Sequence, residues 1–274
     1  MDAVQTPRPA RRTVLVAGAG AAALAVCPRA ASAATAVSAA PVRAAGAADL
    51  PLRADRTTQG DILAGSRKDH ACLLLVHFHD AAPARRWLAR LLPELSTTEE
   101  MARFNALFSA ARLKAGGRDP ASLSALWTGL SLTYPGLRLL AGRDPFPALP
   151  PGSTAEAFAQ GAARRAEALG DTGSSDPGSW LFGAEEPGRA VHAVLSLSAD
   201  DPARLASAVT RHREGLDSEG GEVVFRQDAG TLPGALRGHE HFGFADGISQ
   251  PGVRGFHAPD PGNGSTVQGK PGTR

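Results

Sequence analysis

Short apolar runs alternate with longer amphipathic stretches along the middle of the chain. Four of these runs are bounded by polar residues or by Gly and Pro, and they have the length and composition of β-strands. They cover residues 72–78 (CLLLVHF), 125–132 (ALWTGLSL), 191–197 (VHAVLSL) and 222–226 (EVVFR). The pattern therefore predicts four strands, with helices in the intervals between them.

The intervals between the strands carry helical periodicity and N-terminal capping signals. Ser153 and Glu156 have the spacing of a capping box. Asp201 is followed by Pro202, which combines a capping side chain with a proline that the first turn of a helix tolerates. The predicted helices cover residues 82–92, a segment that follows Thr97-Thr98-Glu99-Glu100, residues 155–169, and residues 201 to about 213.

The order of these elements predicts the fold class. The four runs and the helices between them can be read as two consecutive strand-helix-strand units, with extra helices between the second and third strands. No Gly-rich fingerprint follows any strand, which argues against a doubly wound nucleotide-binding fold. We therefore expect an α+β fold with a ferredoxin-like antiparallel sheet and helices packed on one face. From about Gly230 the regular pattern stops, and the chain becomes rich in Gly and Pro.

The N-terminus has the pattern of an export signal. Arginines precede an uncharged Ala/Gly-rich stretch at 13–26, and the small residues Ala-Ser-Ala follow at 31–33. The pair Arg11-Arg12 resembles a twin-arginine signal, which implies the twin-arginine export machinery as a partner and a secreted, extracellular or cell-envelope location. The apolar stretch is too short for a membrane span of about 20 residues, so no stable membrane insertion is expected after cleavage. Lipidation at Cys27 stays an alternative.

Charge and cysteine content narrow the function classes. The first 33 residues hold four arginines and one aspartate, so the remainder has 25 basic and 26 acidic residues and a net charge of −1. A near-neutral body lacks the clustered basic face that nucleic-acid binding needs. The only cysteines are Cys27 and Cys72. Cys72 lies in an apolar run, which favours a buried structural thiol.

Residues 243–247 place one carboxylate between two glycines, in the sequence Gly-Phe-Ala-Asp-Gly. Glycines at this spacing let the backbone approach a flat ligand closely. A buried Asp246 could act as an acid/base group, because burial raises the pKa of a carboxyl group. An Asp-Gly pair taken alone is also typical of a simple turn, and that alternative stays open.

The segment from His241 to Pro251 reads HFGFADGISQP and resembles the signature of the dye-decolourising (DyP-type) heme peroxidases. Other segments resemble that family in the same order, so the resemblance covers about residues 57–258. The family's dimeric α+β barrel agrees with the predicted ferredoxin-like sheet. The other matching segments are QGDIL at 59–63, KDH at 68–70, LSLTYPGL at 130–137, and LGDTG at 169–173 continuing to Trp180.

The resemblance implies a heme-dependent peroxidase that binds heme b, reduces hydrogen peroxide and oxidises dyes, phenols or other bulky organic electron donors. Asp246 would lie on the distal side of the heme, where it would take a proton from hydrogen peroxide and return it to the leaving oxygen. The glycines would shape the loop. The residues implied to contact heme are Gly243, Asp246, Gly247, Ile248, Ser249 and Gln250.

The family also has a proximal histidine on the iron and a distal arginine. The resemblance implies that both lie downstream of the GxxDG loop and beyond residue 274. His241, His239 and His257 are too close to Asp246 in sequence to serve on the opposite side, and nothing shows that Arg254 replaces the arginine. The histidines at 77, 79 and 192 alternate with apolar residues in predicted strands, which favours a structural role over iron ligation.

These expectations define a domain organisation and two alternatives. The first alternative is a heme-binding or transport protein of the same fold, and the second is a truncated, inactive fragment that holds no heme. Because the axial ligand is expected elsewhere, we expect these 274 residues alone to bind heme weakly and to be prone to aggregation.

The predicted units are a signal peptide at 1–33, a flexible leader at 34–56, a ferredoxin-like domain at 57–229, and at 230–274 the heme-loop segment with the start of a truncated C-terminal domain.

Overall fold

The computed structural model describes residues 51–146, 148–184, 190–244, 253 and 256. All four predicted strands are present, with ends shifted by a few residues. The strands are β1 His70–Phe78, β2 Leu126–Leu132, β3 Ala193–Ala199 and β4 Gly221–Gly230. The helices are α1 Gly60–Leu63, α2 Ala81–Leu91, α3 Thr98–Lys114, α4 Tyr134–Ala141, α5 Thr154–Arg164, α6 Ala166–Leu169 and α7 Pro202–Asp217.

The four strands form one sheet in the order β2-β3-β1-β4, and every neighbouring pair is antiparallel. The first and third strands therefore occupy the centre, and the second and fourth form the edges. This is the ferredoxin-like arrangement that the sequence predicted, so the α+β fold class is confirmed. The pairing register of β1 with β4 shifts between Leu75 and Val76, where a β-bulge bends the edge strand.

One face of the sheet, called here the first face, carries the main hydrophobic core. Alternate side chains of β1 (Cys72, Leu74, Val76 and Phe78) point to it and are at most 3% exposed. Helices α2, α4 and α7 supply the apolar side chains that cover this face. The packing of these helices against the sheet is the main source of the fold's stability, because burial of apolar area contributes about 25 cal/mol per Å².

The opposite side, called the second face, carries a smaller apolar cluster beside β2. Trp127 of β2 packs there against Met101 and Ala102 of α3 and Ala64 at the end of α1. Phe104 of α3 meets Trp127 edge to face, with ring centroids 5.2 Å apart. The prediction that helices pack on one face holds for α2, α4 and α7, whereas α1 and α3 lie on the second face.

Helices α3 and α7 begin at capping side chains, and Asp201 of α7 is a cap that the sequence indicated. Thr97 accepts a hydrogen bond from the Glu100 backbone N–H, and the Glu100 carboxylate accepts one from the Thr97 N–H, which completes a capping box for α3. Asp201 accepts a hydrogen bond from the Ala203 N–H at the start of α7. Capping of this kind satisfies backbone donors that the first turn leaves unpaired. Helix α7 continues to Asp217, four residues beyond the predicted end.

The prediction of one continuous helix over residues 155–169 is wrong. Gly161 has φ +74° and ψ 173°, which breaks the helical path, and α6 follows as a separate turn. Glycine adopts a positive φ without steric cost, so the alanine-rich pattern around it did not reveal the break. The capping box is also incomplete, because Ser153 caps the Glu156 N–H while the Glu156 carboxylate accepts from Gly152.

Helix α4 packs very close to His192, the residue before β3. Thr133, its N-cap, donates its hydroxyl to the Val191 carbonyl oxygen at 2.7 Å. A Cβ atom at Gly136 would lie 2.0 Å from the His192 carbonyl oxygen, so only glycine fits at this position. None of the helices in the described part of the chain has both the length and the apolar character that a membrane crossing needs.

Candidate functional site

The loop predicted to carry the chemistry is described at its two ends. The chain can be followed through Gly243 and Phe244, and it is described again at Val253 and Phe256. The roles predicted for the residues between these points therefore stay predictions. Outside the described residues lie Asp246, Gly247, Ile248, Ser249 and Gln250, together with Arg254 and His257.

The segment that leads into the loop is attached to the start of β1. The Thr231 N–H donates to the Asp69 carbonyl oxygen at 3.0 Å, and its hydroxyl donates to Asp69 Oδ1 at 2.8 Å. Arg237 then pairs with the same carboxylate, at 2.9 Å. One aspartate therefore holds the chain at two points, six residues apart, immediately before the loop.

A tight turn precedes the predicted acid/base residue. The Gly243 N–H donates to the Glu240 carbonyl oxygen at 2.9 Å, and the Glu240 N–H donates to the Phe244 carbonyl oxygen at 2.7 Å. Gly243 has φ +92°, a conformation that side chains other than glycine rarely adopt. The prediction that Gly243 shapes this loop agrees with this geometry, although its contact with a cofactor stays a prediction.

Two large apolar side chains flank this glycine at the surface. Phe242 is 71% exposed and Phe244 is 73% exposed. Adjacent exposed aromatic rings are uncommon on a free surface, since burying each would remove a large apolar area from water. A flat apolar group such as heme could cover them, so this end of the loop fits one side of such a group.

The far end of the loop is attached to the second face of the sheet. Phe256 is only 6% exposed and belongs to the apolar cluster of Met101 and Ala102. Arg53 Nε donates to the Phe256 carbonyl oxygen, and its guanidinium carbon lies 4.9 Å from the Phe256 ring centroid. Both flanks of the candidate loop are therefore held on the folded domain by ionic, hydrogen-bonding and apolar contacts.

A cavity of about 480 Å³ lies beside the Arg237 attachment point. Lys68 lines it with its side chain only 3% exposed, and its Nζ lies 2.8 Å from Asp200 Oδ2 and 4.1 Å from the Phe104 ring centroid. Arg112 Nε lies 3.2 Å from Asp119, and Arg237 pairs with Asp69 and also approaches Asp119 at 3.7 Å. We therefore interpret the cavity as lined by paired positive and negative side chains, and not as an anion-binding site. The remaining charged lining residues are Arg67 and Asp201.

The strand histidines form a group at one end of the sheet. The His77 and His192 rings lie 4.5 Å apart, and His79 lies 5.1 Å from His77. His192 Nδ1 accepts a hydrogen bond from the Phe78 N–H at 2.9 Å. Burial, with smaller contributions from His77 and His79, lowers the pKa of His192 to about 4, so this ring is neutral at pH 7. These contacts agree with the structural role predicted for His192.

Sequence reasoning missed the partner that completes this group. Glu222 of β4 is directly opposite His77 in the strand register, and its Oε1 lies 4.0 Å from His79 Nε2. Within the described residues, His77, His79 and Glu222 are the group with the spacing to hold a metal ion. The spacing His-Phe-His at the end of an apolar run was the available signal.

A carboxylate of α1 also reaches the second face. Asp61 Oδ2 would be only 2.3 Å from a Cβ atom at Gly129, so glycine leaves the room for it against the sheet. Burial raises the pKa of Asp61, while hydrogen bonds from backbone N–H groups and from Ser196 oppose the change. Gln59, one residue before α1, pairs with both backbone groups of Leu130 in β2. The QGDIL segment therefore serves to attach α1 to the sheet.

Comparison with known proteins assigns the domain. Residues 57–226 match the family model described as the DyP dimeric alpha+beta barrel domain. The chain belongs to the DyP-type peroxidase family. This confirms the family that the sequence resemblance indicated, and it agrees with the ferredoxin-like sheet, while the HFGFADGISQP segment lies outside the matched residues.

Named DyP-type relatives agree with this assignment. The chain is 29% identical over 199 residues to a dye-decolorizing peroxidase of Mycena epipterygia, covering 72% of this chain and 32% of that protein. A structure of an ancestral D-type dye decolorizing peroxidase superposes with a TM-score of 0.60 and 28% identity, over 78% of this chain and 42% of that one. A dye-decolorizing peroxidase in complex with 2,6-dimethoxyphenol gives a TM-score of 0.53 and 26% identity, over 74% and 39%.

The chain spans about a third of the length of the curated relatives that it matches. The family model covers residues 57–226, which hold strands β1 to β3 and the first part of β4. Membership of the peroxidase family is therefore established for this domain, and the activity, cofactor and donors of the whole protein are matters for proposal.

Proposed function

We propose that this chain contributes the N-terminal part of a heme-dependent peroxidase, which reduces hydrogen peroxide and oxidises dyes, phenols or other bulky organic donors. The observation that carries the proposal is a GxxDG loop attached at both flanks to a DyP-type domain. The complex of a related peroxidase with 2,6-dimethoxyphenol supports a phenolic donor. Heme b, when bound, supplies the iron that exchanges electrons with peroxide and with the donor.

The residues of this chain would prepare the site and move one proton. Asp246 would accept a proton from hydrogen peroxide at a carboxylate oxygen and return it to the leaving oxygen as water forms. Gly243 and Gly247 would let the backbone lie close to the heme plane. Phe242 and Phe244, which are exposed in the domain, would lose their contact with water when the group is bound. Ile248, Ser249 and Gln250 would pass along the same surface.

Replacement of the acid/base residue tests the proposal. Asp246→Asn in the full-length, heme-loaded protein should lower peroxide turnover with 2,6-dimethoxyphenol by about 10²- to 10⁴-fold, because general acid/base catalysis contributes that much. Heme content, measured from the Soret absorbance, should stay at the wild-type level. The matched control is Asp217→Asn, which removes an exposed carboxylate at the end of α7 and should leave turnover unchanged.

The same experiment separates the proposal from its alternatives. Unchanged turnover in Asp246→Asn would remove this residue from the mechanism. A wild-type protein that retains heme but shows no turnover would favour a heme-binding or transport protein of the same fold. A protein that retains no heme would favour an inactive product.

We also propose that the protein is exported through the twin-arginine machinery. Arg11-Arg12, the uncharged stretch and the Ala-Ser-Ala site support this route, and all of them lie outside the described residues. Twin-arginine export carries folded proteins, which suits a protein that receives its cofactor before it crosses the membrane. Location in the cell envelope or outside the cell follows from the same proposal.

A further inference from the structure

Three side chains with metal-binding atoms converge where β1 ends and β4 begins. His77 is the second-to-last residue of β1 and His79 follows directly after the strand, with the two ring centroids 5.1 Å apart. Glu222 is the cross-strand neighbour of His77 on the same face. Each residue offers one ligand atom, and the three atoms all lie within 4.8 Å of one another.

The hydrogen bonds of His77 prepare its ring for metal binding. Its Nδ1 lies 2.9 Å from the carbonyl oxygen of Ala190. A carbonyl oxygen only accepts, so Nδ1 carries the proton and Nε2 keeps its lone pair in the neutral ring. Metal-bound histidines in proteins commonly donate their second ring N–H to a backbone carbonyl in this way, which fixes the tautomer and the ring orientation.

His192 restrains the same ring from another side. Its imidazole packs against His77 with ring centroids 4.5 Å apart and an interplanar angle of 31°. Because its Nδ1 accepts from the Phe78 N–H, its neutral ring carries the proton on Nε2 and offers no lone pair. His192 therefore acts as a positioning residue for His77 and not as a further ligand.

The other two ligands are free to close around an ion. The side chains of His79 and Glu222 are 56% and 48% exposed, and His79 Nε2 lies 4.0 Å from Glu222 Oε1. Two ligands on a tetrahedral ion with bonds of 2.0–2.1 Å are about 3.4 Å apart. Closure from separations of up to 4.8 Å therefore needs movements of up to about 1.4 Å, which exposed side chains can make by χ rotations.

We propose that His77, His79 and Glu222 form a site for a divalent transition metal, with Zn²⁺ as its ion. Two imidazoles and one carboxylate are the ligand types that Zn²⁺ prefers, and they leave a fourth position for water. One carboxylate compensates half of the ion's charge. The bound ion joins the edge strand β4 to the central strand β1 at the point where their pairing begins, so it stabilises the edge of the sheet.

Calorimetric titration tests the site on the full-length protein, made without a histidine tag and dialysed against a chelator. Zn²⁺ should bind with a stoichiometry of one per chain. His79→Ala and Glu222→Gln should each weaken this binding at least about tenfold, since the loss of even an outer-shell partner costs 10- to 100-fold. Both side chains are exposed, so neither replacement disturbs the core, and circular dichroism verifies the fold.

Two matched histidine variants distinguish this site from unspecific binding. His70→Ala removes the histidine at the other end of β1, and His241→Ala removes an exposed histidine of the loop. Both should bind Zn²⁺ as the wild type does. The proposal is overturned if the wild type binds no Zn²⁺, if His79→Ala and Glu222→Gln bind as tightly as the wild type, or if His241→Ala alone abolishes binding.

Discussion

The two faces of the sheet differ in what they bury. On the first face, Leu74 and Val76 of β1 meet Leu195 of β3 beneath helices α2 and α7, and none of the three is more than 1% exposed. On the second face, the corresponding strand positions include Ser196 and His77, next to carboxylates. The closely packed apolar core therefore lies on one face, whereas Asp61 and the group of His77, His79 and Glu222 lie on the other.

The largest effect expected from this comparison is on the free energy of unfolding. Leu195→Ala should lower it by about 2–5 kcal/mol, because the change removes apolar contacts and leaves a cavity under α7. Its neighbour Val194 points to the second face and is half-buried. Val194→Ala should therefore cost about 1 kcal/mol or less, and urea denaturation measures both.

Equal losses for Leu195→Ala and Val194→Ala would contradict this comparison. They would mean that the second face is packed as tightly in solution as the first. The slope of the unfolding free energy against urea should stay the same in both variants. A changed slope would instead indicate an altered unfolded or native ensemble.

The first face was largely predictable from the sequence, because its information is local. Short apolar runs at 72–78 and 191–197 indicated strands, and the spacing of apolar residues in 82–92 indicated the helix that covers them. The break at Gly161 was not predictable, since glycine in an alanine-rich stretch is compatible with both a helix and a turn. The strand order that places β1 and β3 at the centre and β2 and β4 at the edges follows from cross-strand pairing between distant segments.

The chemistry of the second face depends on such distant pairing. Glu222 and His77 are neighbours only because β4 pairs with β1 in one register, and nothing near Glu222 in the sequence indicates a ligand. The GxxDG loop shows the opposite case, because its residues are contiguous and their pattern resembles a family signature. Even there, the attachments of Arg237 to Asp69 and of Phe256 to Arg53 join segments far apart in the chain.

A smaller effect should appear in the pH dependence of stability. His212 of α7 is 7% exposed, and burial lowers its pKa, although Glu94 opposes the change and Arg211 reinforces it. As the pH falls through about 6.5, His212 therefore binds a proton in the unfolded chain but stays neutral in the folded chain. The stability associated with His212 is present above pH 6.5 and is lost as the pH falls below it.

His212→Gln removes this titration and keeps a polar side chain of similar length. We expect the unfolding free energy of the wild type to fall more steeply than that of the variant between pH 7.5 and pH 5.0. The difference in slope should be smaller than the loss caused by Leu195→Ala. Urea titrations at four pH values measure it, with the exposed His241→Gln as a control, and parallel curves for wild type and His212→Gln would contradict the prediction.

The smallest expected signal comes from the thiol on the first face. Cys72 is 0% exposed, burial raises its pKa to about 11, and a hydrogen bond with Asp228 acts in the same direction. At pH 8 only about a thousandth of such a thiol is ionised, and the thiolate is the reactive form. In a Cys27→Ser background, which leaves one cysteine, iodoacetamide should not modify the native protein within hours but should react in 6 M urea. Rapid native labelling would show that the first face opens at β1, and it would remove the contrast between a closed apolar face and an accessible polar one.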